Sequence, residues 1–252
     1  MGDARRRSLL SRSRADSVFA GYPGRTTGAA KGANMTAAVA EVATSTEPNI
    51  ASIQARIEQT IEDLLASLPN PDQLSAAERR GIIARYAAVL EGNFIYWMTG
   101  AYISAGSDEA RAKIMENLRE EVRDCHPGMM RRFAIAADAV PTSEDAQAVY
   151  RNLMNVRQFI GRLTPVPIVV TMAFFEGFIQ RFMPYLADLA CRQGSSDIEY
   201  TDVHGVCDIT HTQELFRALE AEMKLAPAQS DAAMFEGVEL LRTLIQNIVV
   251  DN

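Results

Sequence analysis

From Asn49 onward, apolar side chains in this chain of 252 residues recur at intervals of three and four, the repeat that lines one face of an α-helix. Ile53, Ile57, Ile61, Leu64, Leu65 and Leu68 form the first stripe, and Pro69 and Pro71 close it because neither can continue a helix. Ser75 and Glu78 have the spacing of a capping box. The proline-free stretch from there to about residue 105 predicts one long helix, continuous or kinked. Further helical patterns cover about 107–125, 127–140, 143–163, 167–192, 201–224 and 231–249, divided by signals such as Pro165 with Pro167 and Gly194. No series of short alternating segments bounded by turns interrupts them. The expected fold is therefore all-α, a single bundle of about seven or eight helices.

Residues 1–47 read differently. Arg5, Arg6, Arg7, Arg12 and Arg14 precede Ala, Gly, Ser and Thr with no sustained period, which predicts a disordered N-terminal extension ahead of a helical domain over 48–252. The stretch from Ser8 to Ala20 is too often broken by Ser, Arg and Asp to be a secretory signal, and Met35 offers an alternative start. A net charge of -7, with acids and bases interleaved, makes nucleic acid an unexpected partner. Cys125, Cys191 and Cys207 are scattered without pairing motifs, as in proteins of the reducing cytoplasm. The most apolar segment, residues 168–182, contains Glu176, Gln180 and Arg181, so no membrane span is expected.

Chemistry concentrates in the chain's three histidines. Two of them stand in the segment His204-Gly-Val-Cys-Asp208-Ile-Thr-His211. At about 100° per residue, Asp208 and His211 lie roughly 40° and 20° to either side of His204, so the three share an arc of about 60°. Two imidazoles and one carboxylate on one face suit ferrous iron with positions left open, and zinc or manganese would accept the same set. The same face could instead be an ordinary solvated one.

Glu176 is a lone charge within Met172-Ala-Phe-Phe-Glu-Gly-Phe-Ile, costly unless paired or metal-bound. Its alternatives are an ion pair with Arg181 or Arg157. His126 follows Glu120 and Glu121, and because Pro127 disfavours helix in the residue before it, the helix should loosen at Cys125 or His126 and turn the imidazole back toward a carboxylate. Glu91 shares a helical face with Phe94, Ile95 and Met98, a further charge against an apolar wall. Carboxylate-bridged two-metal sites in bundles draw Glu and His from several helices.

These residues resemble the haem-oxygenase-like diiron oxidases and oxygenases, over roughly Glu91 to His211. The resemblance rests on His204, Asp208 and His211, on Glu176 about thirty residues upstream, and on Asn117-Leu-Arg-Glu-Glu121 followed by His126. The gap from Glu121 to His126 is shorter than the family's and lacks its glycines, so Glu120 competes with Glu121. The resemblance implies the metal ligands Glu121, His126, Glu176, His204, Asp208 and His211, with Glu91 as a candidate extra ligand, and no catalytic residue beyond the ligands.

It further implies two iron ions, dioxygen as co-substrate and an external electron source, a reductase or chemical reductant. The expected activity is N-oxygenation of a small amine or amino acid in a biosynthetic pathway, toward a hydroxylamine, nitroso or nitro product. Oxidative C–C cleavage of an amino or fatty acid is the close alternative. A thiaminase-like, cofactor-free hydrolase using Cys207 and a haem-binding protein with one proximal histidine are the readings from other classes. The substrate is not legible, and a homodimer is a candidate assembly.

Overall fold

The computed structural model describes residues 49–226 and 229–250; the extension expected over residues 1–47 lies outside them. Among the described residues the chain forms nine α-helices and no strand: α1 Ile50–Ala66, α2 Ala76–Leu90, α3 Asn93–Ser104, α4 Asp108–Arg123, α5 His126–Ala136, α6 Ser143–Ile160, α7 Pro165–Arg192, α8 Glu199–Met223 and α9 Asp231–Val249. The all-α bundle is as the periodicity requires.

The additional helix arises because the long segment after Ser75 divides at Glu91 and Gly92. Gly92 takes φ 84°, a left-handed conformation that glycine enters without steric cost, and the chain turns there before α3 begins. The capping box at Ser75 and Glu78 forms as the spacing predicts, and Asn49 and Thr142 cap α1 and α6 in the same manner. Helix α7 starts at Pro165 instead of Pro167, and α8 starts at Glu199, two residues before the expected Thr201.

Helix α7 is the axis of the bundle. Every residue from Val166 to Ile179 is buried, and the helix packs against α8, α9, α3, α1 and α2. By length and composition it could cross a membrane, with a mean hydropathy of 1.3 over its most apolar window, yet 89% of that window is buried among the other helices. Its apolar surface is thus consumed by helix packing.

Helix α4 is secured beside α8 by a buried carboxylate. Glu222, near the end of α8, accepts hydrogen bonds from the backbone N–H groups of Gly106 at 3.0 Å and Ser107 at 2.8 Å. These donors precede the first turn of α4, where the helix leaves N–H groups unpaired and favours negative charge.

Close approach also fixes α9 against α6 and α7. A Cβ added at Gly237 would collide with Thr171 Oγ1 and the Phe159 ring. Gly237→Ala should therefore destabilise the protein by about 1–3 kcal/mol through overpacking. Gly205→Ala, whose nearest neighbour is Met183 at 3.9 Å, should instead be neutral or stabilising by up to ~1 kcal/mol. Urea unfolding of both variants checks the contrast, which fails if the two shift the midpoint alike.

Candidate metal centre

Helix α8 delivers His204, Asp208 and His211 on one face, and all three are buried. Opposite them, α4 contributes Glu121, α5 contributes His126 and α7 contributes Glu176, each also buried. The helical spacing on α8 therefore marks an interior face rather than a solvated one.

The donors fall into two adjacent groups. In the first, Glu121, His126 and His204 have ligand atoms within 4.8 Å of one another. Glu121 Oε1 lies 2.7 Å from His126 Nδ1 and 3.9 Å from His204 Nε2. The turn that allows this is at Cys125, whose φ of 57° breaks the chain between α4 and α5; His126 becomes the first residue of α5, followed by Pro127. In the second group, His211 Nδ1 lies 3.6 Å from Asp208 Oδ1 and 3.7 Å from Glu176 Oε1. Glu121, His126, Glu176, His204 and Asp208 together border a cavity of about 30 Å³, room for only a water or two.

Neighbouring groups orient four of the donors, holding the second ring nitrogen of His204 and His211 and one carboxylate oxygen of Glu176 and Asp208. Tyr200 O lies 2.8 Å from His204 Nδ1, which turns Nε2 toward Glu121. Glu120 Oε2 lies 2.9 Å from His211 Nε2, which turns Nδ1 inward. Asn117 Nδ2 donates to Glu176 Oε1 at 2.6 Å, and the Cys207 thiol donates to Asp208 Oδ1 at 3.1 Å. Outer partners of this kind fix the tautomer and direction of metal ligands. Glu121 thus faces the cluster, whereas Glu120 faces outward from the same helix as the partner of His211.

Burial of so many acids in one place is expensive. Desolvation, and then repulsion from Asp208, push Glu176 well above the usual carboxylate range, against the pull of His211 and Asn117. For His211, burial opposes the charged form, but the neighbouring Asp208, Glu176 and Glu120 outweigh it and push its pKa up to about 10. His126 is raised too, because hydrogen bonding to Glu121 overcomes its desolvation.

Asp208 Oδ2 and His211 Nδ1 are buried with no hydrogen-bond partner. Buried polar atoms left without a partner cost free energy unless something binds them, and hard and borderline cations are what two imidazole–carboxylate groups take. The donor set fits metal binding: Glu121, His126 and His204 would hold an ion, and Glu176, Asp208 and His211 lie together as further potential ligands.

Glu91 does not join them. It caps the end of α2 and pairs with Arg131 near the surface, because the break at Gly92 turns it away from the apolar face that helical spacing assigned to it. The arginines considered for Glu176 are engaged elsewhere: Arg181 pairs with Glu62, and Arg157 Nε donates to Asn93 Oδ1 at 2.8 Å. Cys207 is a poor nucleophile here. Burial and the adjacent Asp208 raise its pKa strongly, which withholds the reactive thiolate.

Sequence reasoning left Asn117 and Tyr200 without roles. Both carry a legible signal, since each sits four residues before a donor, Glu121 and His204, and so shares its helix face. Tyr86, whose hydroxyl lies 3.0 Å from that of Tyr200, carries none.

Without metal, the folded protein holds more protons at this cluster than the unfolded chain does, because Glu176 and His211 are both raised. The contribution of His211 is complete below its ordinary value of 6.5 and is lost as pH rises toward about 10. The melting temperature of metal-free protein should thus fall across that window by calorimetry, and metal loading should flatten the decline; a metal-free profile that rises there is the contrary result. Glu176→Gln, an isostere of the protonated carboxyl that burial favours, should change the stability of metal-free protein little at neutral pH. The same change should reduce bound metal; equal metal content in variant and parent would be contrary.

A family model described as iron-containing redox enzyme matches residues 83–244, a span that includes every donor of both groups. No curated protein matches the chain.

Proposed function

Because the chain belongs to the iron-containing redox enzymes, and is thus an oxidoreductase, we propose that it is a diiron oxygenase that uses dioxygen to oxidise a small amine-containing metabolite at nitrogen. The observation that carries this reading is the convergence of Glu121, His126 and His204 beside Glu176, Asp208 and His211, with unpaired inward-facing atoms on Asp208 and His211. When bound, a reduced pair of iron ions supplies the electrons that activate dioxygen.

The protein's own contribution is placement and exclusion of water. Leu90, Phe94, Met130, Phe175 and Ile179 form an apolar wall across the cavity from the donors, so the reacting end of the substrate meets the site in a medium of low polarity. No lysine or arginine lines this cavity. That composition favours an uncharged amine over a group needing a cationic clamp. Tyr200, packed on the His204 ring at 4.2 Å between centroids and hydrogen-bonded to Tyr86, keeps the imidazole from rotating. Electrons come from an external donor, a reductase in the reducing cytoplasm being the proposed source. The same apolar wall also suits an alkyl chain, which is the feature favouring oxidative C–C cleavage as the second reading.

The experiment is anaerobic loading of the full chain with ferrous iron, metal analysis, then exposure to ¹⁸O₂ and candidate amines. The expected result is two irons per chain and ¹⁸O on the nitrogen of the product. An alkene, aldehyde or one-carbon product would transfer the assignment to C–C cleavage, and activity retained with no iron would overturn both.

A further inference from the structure

The buried cluster has two unlike sides. Toward α2 and α3 the donors border a cavity whose lining there is apolar, with Leu90 and Phe94, and offers a hydrated cation no oxygen ligands. Between α4 and α8, by contrast, an open cleft of about 310 Å³ reaches His211 from outside, lined among others by Glu116, Asn117 and Glu120. Glu116 is exposed and Glu120 is about one-third exposed. Lys113 and Glu214, on facing sides of the cleft, pair with each other, so the cation on this lining is already neutralised.

The side chains at the inner end connect this cleft to the metal centre. His211 presents Nε2 to Glu120 and Nδ1 to Glu176 and Asp208. Asn117, only 3% exposed, donates to Glu176 through Nδ2 while its Oδ1 has no partner. A file of oxygen donors thus runs from Glu116 through Glu120 and Asn117 Oδ1 to Glu176.

Resting on the metal-binding reading above, we propose that the cleft between α4 and α8 is the route by which a divalent cation reaches the buried donors, with Glu120 as a transient ligand that exchanges its hold on His211 for the ion. Anionic clefts raise local cation concentration and association rate. Oxygen donors spaced along the path replace the hydration shell stepwise. Glu120 is then a positioning residue at rest and a relay during loading, which gives its outward orientation a purpose.

The test mixes metal-free full chain rapidly with Co(II) and follows the ligand-field absorption. Glu116→Gln and Glu120→Gln should each slow uptake by about threefold or more and weaken its dependence on ionic strength, while Co(II) bound per chain at saturating metal stays as in the parent for Glu116→Gln. Glu109→Gln, which removes an exposed charge of α4 outside the cleft, should leave the rate unchanged. The proposal is overturned by unaltered rates in both cleft variants, by equal slowing in Glu109→Gln, or by a lower final Co(II) count in Glu116→Gln, which would make Glu116 part of the site and not of a route to it. Failure of the parent to bind Co(II) at all would remove the metal-binding reading and this route with it.

Discussion

Three carboxylates, Glu121, Glu176 and Asp208, lie buried in the same apolar bundle as Phe175 and Ile179, and containing their mutual repulsion is the constraint around which the structure is arranged. An isolated ion in such surroundings costs roughly several kcal/mol after relaxation. The bundle offsets this with imidazoles, amide and thiol donors, and protons. What remains without a partner in the cluster is Asp208 Oδ2 and His211 Nδ1. A bundle that only needed to fold would do better with apolar residues at these positions, so their presence in the core supports the proposed binding role.

The rest of the architecture follows from holding those donors still. The long apolar helix α7 carries a single acid into the centre, and its packing on several neighbours at once leaves Glu176 little freedom. Helix α8 brings three donors on one stripe, and Glu222 ties the far end of that helix to the start of α4, so that Glu121 stays in register with His204.

Much of this was legible in the chain. Stripe positions such as Ile53, Ile57 and Ile61 specify helices by period alone, and His204, Asp208 and His211 specify a shared face because 3.6 residues per turn leaves them no other arrangement. Glu176 announced itself as a charge in the wrong surroundings. Glu91 misled because its helical face holds only while the helix continues, and the left-handed turn at Gly92 is a property of the backbone that a periodic pattern does not express. The division of labour between Glu120 and Glu121 was illegible for a related reason. Neighbours on a helix diverge by about 100°, and which of them looks inward depends on how α4 is rotated against α8, a matter of tertiary packing.

The left-handed residue at Cys125 has a further consequence. Glu121 and His126 are tethered by only four intervening residues, and the turn between them is closed by backbone hydrogen bonds from Asp124 and Gly128. Their side chains therefore behave as a preassembled chelate arm with a high effective concentration of one donor beside the other. The entropy of bringing them together is spent once, when the chain folds, and not again when a ligand arrives. Asp208 and His211 are tethered just as closely within one turn of α8, whereas Glu176 and His204 reach their partners only through the packing of whole helices. Each group thus joins a local bite, which survives small movements of the bundle, to one donor that is only as firm as the contact between its helices.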